Sequence, residues 1–273
     1  MIKKLKKNKR FEFGQNWQDF IASLDPQRIK IAEKSILNML KLKDLSKKKF
    51  LDIGSGSGLS SLAAKNLGAN VFSFDYDIYS VKCTSKLKNQ FYPNDAEWKV
   101  AKGSILNKKF LKSLGKFDIV YSWGVLHHTG KMWLAVDNTL NLVKKDGLCF
   151  IAIYNDQGIK SQIWWLVKYF YNYIPIYFKK IFVFLLSFFV FSILLIKYTL
   201  KLNPMKILNV IFNYKKKRGM NLFNDLIDWY GGFPYEFADY ENLVDYVENK
   251  GFRLVKGKRE FSLGCHEVVF IKI

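Results

Sequence analysis

Cysteine and histidine are both scarce in this chain of 273 residues, with three of each. Cys83, Cys149 and Cys265 are far apart, odd in number and in no metal-ligand spacing. That pattern argues against a disulfide framework and against a zinc site, and for a reducing compartment. The histidines are His127, His128 and His266, so proton transfer near neutral pH has few side chains to draw on. Acidic residues are also few. There are 23 against 44 basic ones, a net charge of +21 and a pI near 9.7. Such an excess favours anionic partners such as RNA, acidic lipid or a phosphorylated substrate, although a lysine-rich coding bias produces the same total. Met1–Arg10 is polar and basic with no apolar core behind it, so a signal-peptide pattern is missing. Hydrophobic residues make up 49% of the chain, which excludes global disorder and provides for a sizeable core.

What is present is organised around Phe50-Leu51-Asp52-Ile53-Gly54-Ser55-Gly56-Ser57-Gly58-Leu59. An apolar run suited to a buried strand ends in an acid, and three glycines then alternate with small residues. A helical pattern with Leu59, Leu62, Ala63 and Leu67 on one face follows. The expected unit is strand, turn, helix, with the backbone brought close to a bound group, because glycine has no Cβ to hold a ligand away. A dinucleotide loop reads G-x-G-x-x-G and cradles a pyrophosphate. Here a carboxylate precedes the first glycine, which suits a ligand bearing an ammonium or sulfonium. The next apolar run, Val71–Phe74, ends in Asp75, which can accept two hydrogen bonds from a ribose diol.

On these residues the chain resembles the class I S-adenosylmethionine-dependent methyltransferases. The resemblance implies an α/β, Rossmann-like, doubly wound seven-stranded sheet whose last strand is antiparallel. It implies S-adenosyl-L-methionine as cofactor, with Asp52 facing its amino group and Gly54, Ser55, Gly56 and Gly58 lining it. Asp75 and its neighbour Tyr76 would lie at the ribose. Ser104 stands where many family members carry an acid for the adenine, and Trp123 closes strand four beside the same edge. The string Val125-Leu126-His127-His128-Thr129 resembles the loop after strand four in small-molecule and lipid-quinone methyltransferases. A hydroxyl acceptor is helped by a general base. His128 is the first candidate and His127 the second, each weighed against a purely structural role. The Asn/Asp-Pro-Pro-Tyr/Phe string of exocyclic-amine methylation is missing from that loop. No cysteine suited to pyrimidine methylation lies at this edge.

The remaining elements alternate as a doubly wound sheet requires. A helix is expected over 27–45, with Trp17 and Phe13 as packing anchors. Strands are expected at 70–75, 98–101, 117–123 and 148–154, the last entered by a turn at Lys144–Gly147. Three segments follow from this order. Residues 1–154 hold the N-terminal helix and cofactor half, 155–235 form a helical hydrophobic insertion, and 236–273 complete the fold with a helix at 236–250 and the antiparallel strand 267–271. Within the insertion Ile181–Ile196 is broken only by Ser187 and Ser192, is flanked by Lys179, Lys180 and Lys197, and is preceded by Trp164, Trp165, Tyr169, Tyr171, Tyr173 and Tyr177. As a helix those residues rise only about 24 Å, short of the ~30 Å hydrocarbon core. The run is therefore expected as a re-entrant hairpin, an interfacial anchor or a buried helix, with membrane contact through 160–213 ahead of burial.

A second resemblance covers nearly the whole chain. Phe11–Trp17, the His-His-Thr loop, Ile153–Gly158 and Asp228–Glu236 look like a bacterial subgroup similar to ubiquinone-biosynthesis O-methyltransferases. It implies Asn155, Asp156, Gln157, Asp228, Trp229 and Tyr235 as the acceptor lining. The expected activity is methyl transfer to oxygen of a small-molecule or lipid-linked acceptor, a quinol-like phenol or an envelope-glycan sugar. The expected location is the cytoplasm, peripheral at the inner face of the membrane, with no metal. RNA methylation is the enzyme alternative, and a non-catalytic cofactor-binding scaffold the other.

Overall fold

The computed structural model describes residues 11, 17, 24–200 and 222–273. Phe13 and the rest of the 12–16 string lie outside the described residues, as do 201–213 of the expected membrane-contact stretch. The chain divides into two compact units, one of Glu12–Gln162 with Pro234–Ile273 and the other of Met1–Phe11 with Ile163–Phe233.

From Leu24 onward the larger unit has α1 (Pro26–Leu40) first. Asp25 caps it by accepting from Arg28 N at 2.9 Å, and Pro26 occupies the first turn, where its missing N–H is not needed. The helix stops five residues before the expected Leu45, because Lys41 turns left-handed and its N–H returns to Leu37 O. Then come β1 (Lys49–Ile53), α2 (Leu59–Asn66), β2 (Asn70–Asp75), α3 (Ile78–Phe91), β3 (Trp98–Lys102), α4 (Lys108–Lys112) and β4 (Phe117–Trp123). A 3-10 turn at Leu126–His128 leads into α5 (Met132–Leu140) and β5 (Val143–Tyr154). After the insertion come α9 (Tyr240–Glu248), β6 (Phe252–Lys258) and β7 (Cys265–Lys272).

The strands lie in the order β3-β2-β1-β4-β5-β7-β6. The first five are parallel, and β7 runs antiparallel between β5 and β6. This is the Rossmann-like sheet expected from the sequence. Period-two alternation builds a core on each face. Leu51, Ile53, Val120, Ile151, Val268 and Phe270 pack with Ala135, Val136, Leu243 and Val247 of α5 and α9. Phe50, Ile119, Tyr121, Phe150 and Val269 pack with Ile36, Leu62 and Leu87 of α1 to α3.

Two expectations need correction here. The Lys144–Gly147 turn lies inside β5, where Asp146 adopts φ +59° and the pairing slips between Phe117 and Ile119. The strand absorbs the turn as a bulge. The C-terminal helix begins at Tyr240 because Asp239 caps it, accepting from Glu241 N and Asn242 N.

The second unit holds α6 (Ile159–Tyr173) from Ile163 onward, α7 (Ile176–Leu200) and α8 (Leu222–Gly231). Tyr171, Val183 and Tyr230 form its buried centre, with Trp164, Val167 and Leu186 around them. Asn172 Nδ2 ties α6 to α8 by donating to Gly231 O at 2.8 Å. Helix α7 has 25 residues, not sixteen, since Ile176–Lys180 and Lys197–Leu200 continue the same helix. It is about 38 Å long, so the objection from length falls. Only Val183 and Ser187 are buried along it.

Candidate active site

The glycine turn is held open by its own backbone. Gly54, Gly56 and Gly58 have φ of +74°, +54° and +84°, a region that favours glycine. Gly54 N and Ser55 N both donate to Phe74 O, at 2.8 and 3.1 Å, which locks the turn over the end of β2. Asp75 closes the arrangement. Its Oδ2 accepts from Gly56 N at 3.0 Å and its Oδ1 from Asp77 N at 2.8 Å. These two bonds fix the orientation of the Asp75 carboxylate at the end of β2. A Cβ on Gly54 would lie 2.4 Å from Val125 Cγ1, and one on Gly56 would lie 3.3 Å from Trp17 Nε1. The turn therefore abuts the start of the histidine loop on one side and an indole on the other.

Below it lies a buried polar chain. Trp98 Nε1 donates to Ser73 Oγ at 3.0 Å, Ser73 and Ser61 share a bond of 2.7 Å, and Ser61 Oγ donates to Asp52 Oδ2 at 2.5 Å. Asp52 is 2% exposed, and burial pushes its carboxyl up to about 7 from the usual 3.8. The Ser61 bond opposes that shift, and the nearby Asp75 charge adds to it.

The histidine loop is fixed from several directions. His128 Nδ1 lies 2.6 Å from Pro234 O, and a carbonyl can only accept, so Nδ1 carries the proton. In the neutral ring Nε2 is then the basic nitrogen. His127 Nδ1 accepts from Tyr154 N at 3.2 Å, which places its proton on Nε2. The Tyr154 ring lies 3.9 Å from that of His127, 5.5 Å from that of His128 and 5.1 Å from that of Tyr235. Both carboxylate oxygens of Glu236 accept from Met132 N at 3.1 Å, and Glu236 N donates to His127 O at 2.9 Å. One residue thus caps α5 and supports the loop.

This geometry fits a nucleoside cofactor at the ends of β1 and β2, with the histidine loop following β4. A comparison with known families agrees: the family described as a methyltransferase domain matches residues 25–179, more than half of the chain. The chain belongs to the methyltransferase-domain family. It is 28% identical over 160 residues to a ubiquinone biosynthesis O-methyltransferase of Pelagibacter ubique (strain HTCC1062), covering 56% of this chain and 64% of that protein. The chain thus spans less than two thirds of that relative's length. Among solved structures, magnesium protoporphyrin IX methyltransferase from Synechocystis PCC 6803 with bound SAH gives a TM-score of 0.54 at 10% identity, covering 94% of this chain and 86% of that one. PKMT2 from Rickettsia typhi in complex with AdoHcy gives 0.60 at 13% identity, covering 88% and 52%. At these identities the likeness is one of fold.

S-adenosylmethionine is the methyl donor of this methyltransferase family, and the residues present fit it. The turn between β1 and α2 has the left-handed glycines that such a loop requires, and a carboxylate stands at the end of β2. Ser55, in the turn, and Ser104, just after β3, both have bonded hydroxyls: Ser55 Oγ bonds Thr84 Oγ1 at 2.8 Å, and Ser104 Oγ accepts from Leu106 N at 3.2 Å. Tyr76 and Trp123 are exposed, and Trp123 Nε1 donates to Glu267 Oε1 at 3.4 Å. Asn155, Asp156 and Gln157 line one cleft with Asp239, Glu260 and Phe261. Tyr235 is buried against Tyr154, while Asp228 and Trp229 belong to the second unit.

Sequence reading missed Tyr154, Glu236 and Ser61. Glu236 was legible as an acid before a helix, but the helix it caps is α5, 104 residues earlier. Replacing Asp75 by alanine is expected to weaken S-adenosylmethionine binding about 10- to 100-fold, the worth of charge-assisted hydrogen bonds. Calorimetric titration measures it, and wild-type affinity in the variant would remove Asp75 from the cofactor site.

Proposed function

We propose that the protein transfers a methyl group from S-adenosylmethionine to an oxygen of a small-molecule or lipid-linked acceptor, a quinol-like phenol or an envelope-glycan sugar. The observation that carries this reading is the fixed tautomer of His128. Its Nδ1–H is held by Pro234 O, which makes Nε2 the acceptor nitrogen of the neutral ring, on a loop whose first residue, Val125, abuts the glycine turn. The cofactor, when bound, supplies an electrophilic methyl on sulfur. The chain's own task is to align an acceptor oxygen with it, to exclude water and to take the hydroxyl proton at His128 Nε2. Asp52 would face the cofactor's amino group, Asp75 its ribose, and the Asn155–Gln157 cleft an acceptor. The name of the Pelagibacter relative supports oxygen as the methylated atom. Cys149 is fully buried and its thiol is pushed up to about 12, which disfavours a thiolate nucleophile.

The protein would work in the cytoplasm, at the inner face of the membrane through the second unit, where it could reach a lipid-borne acceptor. The net charge of +21 favours RNA as a second reading. Incubation with methyl-labelled S-adenosylmethionine and three acceptor pools (polar lipid extract, sugar nucleotides, total RNA) separates them. Label is expected in lipid or sugar. Label confined to RNA would replace this reading, and no label with intact cofactor binding would make the chain a binder without turnover.

A further inference from the structure

Helix α7 has no polar face. From Ile181 to Ile196 its only polar side chains are those of Ser187 and Ser192, and its mean hydropathy reaches 2.5. An interfacial helix needs one charged side, and a helix that is apolar all round is buried in protein or in lipid. Protein does not bury this one: 11% of its most apolar window is covered. After Ser187 no residue through Leu200 is buried, and Phe188, Phe189 and Ile196 are 67%, 63% and 61% exposed. An isolated apolar surface of this extent marks an interaction site.

Charge identifies the partner. Between Asp156 and Asp225 the sequence holds no acidic residue and eleven basic ones, including the run Lys215-Lys216-Lys217-Arg218. The larger unit carries almost all of the chain's carboxylates, so this bias is local. Lys180 and Lys197 bracket the uncharged part of α7, and their separation along a helix is about 26 Å, a few ångströms short of the ~30 Å hydrocarbon core. Long lysine side chains at those ends reach headgroups while the stem stays in apolar surroundings. Trp165, Tyr169 and Tyr173 stack along α6 with ring distances of 5.2 and 4.4 Å, amphipathic rings of the kind that settle at a membrane–water boundary.

We infer that α7 is embedded in the hydrocarbon of a lipid bilayer and that the acid-free basic segment around it selects anionic headgroups. The inference deepens the membrane contact proposed above and rests on it. A second copy of the chain would explain the apolar surface but not the one-signed charge, which would repel itself.

The test is flotation of the full chain with phosphatidylcholine vesicles, with and without roughly one third phosphatidylglycerol, an anionic lipid. About tenfold more protein is expected with the anionic vesicles, and the excess should shrink in high salt. A Phe184→Glu, Phe188→Glu, Ile196→Glu variant, changed only at exposed positions, should stay unbound. Equal binding to both vesicle types would overturn the anionic selection and leave membrane contact standing. Binding to neither, undiminished binding of the variant, or a lipid-free oligomer that shields these positions would overturn both. Cofactor titration of the same preparations reports on the methyltransferase site independently of either result.

Discussion

His128→Ala is expected to lower turnover about 10²- to 10⁴-fold, the usual worth of a positioned general base, with cofactor affinity unchanged. The loss of the hydrogen bond to Pro234 O is worth about 1 kcal/mol, which urea unfolding would register. Because a structural role and a chemical one both pass through this ring, a second variant separates them. His128→Asn keeps an N–H donor for Pro234 O and has no basic nitrogen. If His128 takes a proton, both variants are slow. If it only shapes the loop, the asparagine variant recovers most of the rate, and the base role is lost. Methyl-transfer rates measured at saturating cofactor distinguish the two.

The second large effect belongs to Asp52. Its carboxyl is held up at about 7 by burial, against 3.8 in an exposed chain, so the folded protein binds this proton more tightly than the unfolded one. Stability from this group is then greatest below about pH 4, falls as the pH rises toward 7, and is level above that. The loss across the window is on the order of 4 kcal/mol at most. Asp52→Asn removes the titration while keeping an oxygen for Ser61 to donate to. Its unfolding midpoint in urea is expected to exceed that of wild type at pH 8 and to match it near pH 4. A wild-type slope in the variant would show that Asp52 does not titrate in this range. The same variant should bind S-adenosylmethionine more weakly, since a neutral amide cannot neutralise an ammonium group.

Much of this arrangement was legible because it is local. The apolar runs at Phe50–Ile53 and Phe117–Trp123, the glycine spacing and the acid after Val71–Phe74 each lie within a dozen residues, and each pointed to its element. The site's supports are not local. Tyr154 closes a strand and reads as a core residue, and nothing nearby shows that its ring meets both histidines. Trp17 reads as a packing anchor and does pack, yet its indole also flanks Gly56. The length of α7 was misjudged for a different reason. The lysines at its ends break an apolar run but not a helix, since lysine is a good helix former. Sequence hydropathy therefore gave the uncharged centre of the helix and missed its full reach.

The position of β7 has a kinetic consequence. Strand β5 lies between β4 and β7, and 111 residues separate Tyr154 from its partner Cys265. At a synthesis rate of roughly 5–20 residues per second, one side of β5 waits about 6–20 s for its neighbour. An unpaired strand edge is a template for unwanted pairing over that time. Helix α7 is synthesised within the same interval. The apolar segment therefore meets the surrounding medium before the sheet it interrupts can close.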